Sequence, residues 1–83
     1  MNENEHIVDD QGTTQEQARE MLAAFCREGF ENDRKKCALV MGRTADEINN
    51  FINGDEIIDD DFVMKMRGIA EERNIEIEEE ETI

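Results

Sequence analysis

The apolar residues of this 83-residue chain fall into four short runs, each with the spacing of a helical face. Ala18, Met21, Leu22 and Phe25 recur at intervals of three, one and three, and Cys26 borders the same stripe. Either Thr13 or Thr14 can open this first helix, because Glu16 and Gln17 stand three residues beyond them in the capping-box arrangement. Gly29 is expected to end it as a left-handed residue, with Phe30 folding back onto the core. A second helix of about two turns begins at Asn32 or Asp33, either of which can cap it. It carries Cys37, Ala38, Val40 and Met41 and stops at Gly42. A third begins at Thr44, where Thr44-Ala45-Asp46-Glu47 forms a capping box and places two acids at the positive end of the helix dipole. Ile48, Phe51 and Ile52 form its apolar face, and Asn53-Gly54 closes it. A fourth begins within Asp59–Asp61, aligns Phe62, Val63, Met66, Ile69 and Ala70 despite an interior Gly68, and ends at Asn74.

These runs predict an all-α domain over residues 13–75, with four to five helices. No helix this short is stable alone in water, so the stripes must face one another. The start, residues 1–12, is polar and acidic and reads as a disordered arm. Residues 76–83 read as an acidic tail. Between them, Ile75-Glu76-Ile77-Glu78 alternates with period two, which suits a short strand, a frayed helix extension or disorder.

Charge changes this picture. Nine Lys and Arg stand against 23 Asp and Glu, a net −14. The distribution is uneven: residues 1–12 carry −4, 13–30 carry −1, 55–73 carry −4 and 74–83 carry −5, while 31–54 are neutral. Such an acidic chain repels phosphate unless a cationic face is set apart from the acids. Arg34, Lys35 and Lys36 form the one dense cationic group, in the first turn of the second helix. There they oppose the helix dipole, at about 0.3–1 kcal/mol each when exposed, so the expectation is that they serve an anionic partner.

Other chemistry is sparse. A membrane span needs about 18 or more consecutive apolar residues, and no such run occurs. The acidic start does not resemble a secretory signal, so a cytoplasmic setting is expected. Cys26 and Cys37 do not make a disulfide framework and read as small buried hydrophobes in a reducing compartment. His6 is the sole histidine, which leaves neither a Cys/His catalytic pair nor a zinc ligand set. The span from Asn49 to Asp60 puts Gly54 at the sixth place of a calcium loop, but Phe51 at the third place and the lack of a final Glu disqualify it. Asp59, Asp60 and Asp61 read as helix caps, and Met21, Met41 and Met66 fall on core faces. No enzyme activity, metal or cofactor is expected.

The stretch from Cys37 to Gly54 carries a recognisable order: Cys37, Ala38, Met41, Gly42, Thr44, Ile48 and Asn53-Gly54, without a gap. It resembles the helix-turn-helix of the phage-repressor (Cro-like, Xre-like) family, and the resemblance extends over roughly residues 16–75. Each slot has a physical reason. Ala38 is small where two helices cross, Gly42 turns the chain with positive φ, and Ile48 plugs the junction. Compared with the family pattern, the connection after Gly29 is about two residues longer, and a fifth helix has no clear counterpart.

The resemblance implies a lambda-repressor-like fold and a small regulator that binds double-stranded DNA at an operator-like site as a homodimer. The third helix would enter the major groove and read bases with Ala45, Asp46, Asn49 and Asn50. Arg34, Lys35 and Lys36, with Arg43 in the turn, would contact phosphate. The alternative reading of the same scaffold is an acidic protein-interaction module (an adaptor, antitoxin-like partner or DNA mimic) that binds a basic protein. The whole-chain charge and the Asp46-Glu47 pair favour it.

Overall fold

A computed structural model describes residues 12–77, and its regular elements are four helices: α1 (Gln15–Phe30), α2 (Arg34–Met41), α3 (Ala45–Asn53) and α4 (Asp60–Arg73). The predicted arm and most of the predicted acidic tail lie outside the described residues. Each helix start follows from its cap. Thr14, not Thr13, opens α1: its hydroxyl accepts from Gln17 N–H, and the Gln17 side chain accepts from Thr14 N–H in return. Asp33 opens α2 and Asp59 opens α4, each through its carboxylate. Thr44 and Glu47 form the expected capping box at α3. Asp60 and Asp61 then lie in the first turn of α4, where the dipole favours them.

The end of α1 differs from expectation. Gly29 does not stop the helix; it is helical, and α1 continues to Phe30. The left-handed turn is made instead by Glu31 (φ 55°) and Asn32 (φ 63°), with Asn32 N–H donating to Cys26 C=O at 2.8 Å. Gly29 serves a different need. A Cβ on it would lie 2.5 Å from Ile75 Cδ1, so the missing side chain makes room for the segment after α4. That segment is not a strand: Ile75 and Ile77 are irregular in backbone and pack, half-buried, against the core.

The remaining ends behave as the pattern requires. Gly42 (φ 73°) and Gly54 (φ 86°) occupy the left-handed region at the ends of α2 and α3, and Asn74 (φ 59°) does so after α4. Gly42 lets α2 turn into α3 within three residues, and Arg43 N–H closes the turn onto Ala38 C=O at 2.9 Å.

The four stripes meet in one core. Leu22, Phe25, Met41, Ile48, Ile58 and Met66 are fully buried, each contributing about 1.5–3 kcal/mol by transfer from water. Phe25 and Phe30 meet edge-on with ring centres 5.3 Å apart, and Phe51 and Phe62 pack tilted with centres 4.9 Å apart. Ile58 belongs to no helix, and a buried glutamine holds it in place. The Gln15 amide donates to Ile58 C=O at 2.6 Å and accepts from Ile58 N–H at 3.0 Å. This pair ties the α3–α4 connection to the start of α1. The fold is therefore a small all-α helix-turn-helix domain, with α2, the Gly42 turn and α3 forming the corner.

Candidate macromolecular interface

The eight residues that the sequence singles out all lie on α2, the turn and α3, yet they do not form one free surface. Arg34 starts α2, is half-buried, and donates through Nη1 to Asn49 Oδ1 on α3. Its Nε is buried without a hydrogen-bond acceptor. Arg34 and Asn49 therefore brace the two helices against each other. This bond gives a folding reason for a cation at the unfavourable end of a helix, where sequence reasoning favoured a functional one.

Arg43 is likewise turned inward. Its guanidinium lies 5.1 Å from the centre of the Phe62 ring and 5.5 Å from that of Phe51, with Glu47 at 4.0 Å. A cation over two aromatic faces is held by the ring quadrupoles and by packing of its stem.

Lys35 and Lys36 remain. Both are exposed, and no ion pair or hydrogen bond engages either ammonium among the described residues. Directly beneath them Asp33 accepts their backbone N–H groups at 3.0 and 3.2 Å. On α3, Asp46 is exposed, while Ala45 and Asn50 are half-buried. The Asn50 carbonyl accepts from Asp55 and Glu56 N–H, which folds two further acids back beside the end of α3.

Three further basic residues are also engaged within the fold. Lys65 donates to Met41 C=O at 3.2 Å, at the negative end of the α2 dipole. Arg67 donates to Thr13 Oγ1 at 2.9 Å, and Arg73 lies 5.7 Å from the centre of the Phe30 ring. Arg19 makes no ion pair or hydrogen bond among the described residues, and Arg27 pairs with its neighbour Glu28 at the surface, at 3.2 Å. The acids show the reverse. Asp46, Asp55, Glu56, Asp60, Asp61, Glu71 and Glu72 are exposed and make no side-chain ion pair or hydrogen bond among the described residues. The described residues carry fifteen acids and nine bases, a net −6.

Three large apolar side chains stand in solvent: Leu39 at 81% exposure, Ile57 at 67% and Met64 at 62%. Ile57 lies within the acidic connection between α3 and α4. Met64 lies one turn beyond Asp60 and Asp61 on the same face of α4.

No group of three or more His, Cys, Asp or Glu able to hold a metal occurs among the described residues. No helix there is long and apolar enough to cross a membrane. Comparison of the chain with models of known families, with curated proteins and with solved structures finds no match.

Proposed function

We propose that this domain is a protein-interaction module that binds a cationic, amphipathic segment of a partner protein. One observation carries this reading: Arg34, Arg43, Lys65, Arg67 and Arg73 are engaged within the fold, while Asp55, Glu56, Asp60 and Asp61 stand exposed without a side-chain partner among the described residues. Two unengaged ammonium groups give a phosphate-binding face little to work with, because affinity for duplex DNA rises with the number of phosphates neutralised. The acidic connection Asp55–Asp61 offers the opposite. Its exposed carboxylates flank Ile57 along the chain, and Met64 stands one turn along α4. Basic side chains on a partner would meet the acids, and apolar ones would cover Ile57 and Met64.

A second reading, binding to double-stranded DNA as a small transcriptional regulator, has one observation of its own. Lys35 and Lys36 are free, and they stand at the start of α2 on a helix-turn-helix corner.

Fluorescence anisotropy separates the two. One probe is a random-sequence duplex at about 50 mM salt, where phosphate contacts are strongest. The other is a Lys/Arg-rich amphipathic peptide at physiological salt. The interaction module is expected to leave the duplex unbound and to bind the peptide. Binding should weaken when Ile57 and Met64 are replaced by Ser, a change that leaves the charge untouched. Saturable duplex binding that falls on Lys35→Ala and Lys36→Ala overturns the proposal in favour of the regulator. Peptide binding indifferent to Ile57→Ser and Met64→Ser reduces it to bulk charge attraction and overturns it as well.

A further inference from the structure

The outer faces of α2 and α4 carry the same arrangement with opposite charge. On α2, Lys35 and Lys36 stand in the first turn, and Leu39 lies four and three residues beyond them. On α4, Asp60 and Asp61 stand in the first turn, and Met64 lies four and three residues beyond them. Residues at those intervals share one side of a helix. All six are exposed, and Leu39 and Met64 are among the three large apolar side chains that stand in solvent. None of the four charged side chains makes an ion pair or a side-chain hydrogen bond among the described residues. Asp33, the acid nearest the two lysines along the chain, caps their backbone N–H groups instead.

We propose that the partner of the acidic site is a second copy of this chain, with the Lys35-Lys36-Leu39 face of α2 in one copy laid along the Asp60-Asp61-Met64 face of α4 in the other. The inference rests on the reading above, in which the acidic connection and the start of α4 bind a cationic, amphipathic segment. The chain itself contains one, since α2 opens on two free ammonium groups and carries Leu39 one turn later. Set side by side in the same direction, the two helices bring lysine to aspartate in the first turn and Leu39 to Met64 in the next. Ile57, three residues ahead of Asp60, adds apolar surface.

Each part of this contact answers a deficit of the isolated chain. Lys35 and Lys36 oppose the α2 dipole, and carboxylates from a second copy offset their charge. Leu39 and Met64 both leave water. The net charge of −14 drives copies apart at a distance. At physiological ionic strength that repulsion is largely screened beyond about 8 Å, whereas partly buried pairs in contact are screened much less. Two charged pairs and a few apolar side chains make a small interface, so the association is weak and depends on concentration.

Sedimentation equilibrium of the full chain over a wide concentration range, at physiological salt, tests the pairing. The mass should rise above that of one chain as concentration rises, and Leu39→Ser or Met64→Ser should weaken the association on the order of tenfold. Charge exchange tests which faces meet. A chain with Lys35→Glu and Lys36→Glu and a chain with Asp60→Lys and Asp61→Lys should each stay monomeric. Their equimolar mixture should associate, because every face then meets its opposite. Both variants keep the caps Asp33 and Asp59, and circular dichroism checks their folding. If the lysine variant of α4 fails to fold, Leu39→Ser, a change made in solvent, still decides. A mixture no more associated than its components, or self-association indifferent to Leu39→Ser and Met64→Ser, overturns the inference. A wild type that stays monomeric yet binds the basic peptide overturns the self-pairing alone, and one that does neither overturns the interaction module as well.

Discussion

Alanine at Gly29 and alanine at Gly68 add the same methyl group to two helix interiors with opposite surroundings. At Gly68 a Cβ meets nothing within 4 Å, so the substitution gains only helix propensity, about 1 kcal/mol. At Gly29 the same gain is opposed by Ile75, whose Cδ1, Cγ1 and Cγ2 would lie 2.5, 3.1 and 3.4 Å from the new carbon. Ile75 must swing outward and expose surface, or the chain after α4 must shift. Overpacking of this kind costs about 1–3 kcal/mol, which cancels or exceeds the propensity gain. The two variants should therefore differ in stability by about 1–3 kcal/mol, with Gly68→Ala the more stable. For a domain of this size each kcal/mol moves Tm by about 4–8 °C, so thermal unfolding followed by circular dichroism resolves the difference. Ile75→Ala placed on Gly29→Ala removes the clash and should cost less than the two changes made singly. If Gly29→Ala proves as stabilising as Gly68→Ala, Ile75 does not rest on α1, and the packing of residues 75–77 is refuted.

Other substitutions probe the parts that position the interface. Gly42→Val puts a β-branched residue at φ 73° and should destabilise by about 1–3 kcal/mol in urea unfolding; a change within experimental error contradicts the turn. Gln15→Ala strands the buried Ile58 N–H and C=O, so a loss of about 1–3 kcal/mol is expected, together with faster amide exchange at Ile58. Arg43→Ala should lower stability by roughly 0.5–2 kcal/mol through loss of its stacking on Phe51 and Phe62, and a stability equal to wild type would place that guanidinium in solvent.

The helices were legible in the sequence wherever a local rule sufficed. Caps at Asp33, Thr44 and Asp59 and the left-handed glycines 42 and 54 act within a few residues of themselves. Gly29 misled because glycine answers two different needs, positive φ and close approach, and only the distant Ile75 shows which applies. Gln15 carried no visible signal either, since its partner Ile58 lies 43 positions away. The site was less legible than the fold for the same reason. Arg34, Lys35, Lys36 and Arg43 look alike as charges in a string, but two of them find partners on other elements. Asn49 lies fifteen residues from Arg34, and Phe62 packs under Arg43 from α4.

The most direct measurement is a pair of nitrogen-15 NMR titrations of the full chain, one with a random-sequence duplex and one with a basic amphipathic peptide. Shifts gathered on Asp55–Asp61 and Met64 with the peptide, beside an unchanged spectrum with the duplex, are the expected result. Duplex-induced shifts gathered on Lys35, Lys36, Asp46 and Asn50 would contradict it and identify the helix-turn-helix corner as a DNA-reading surface.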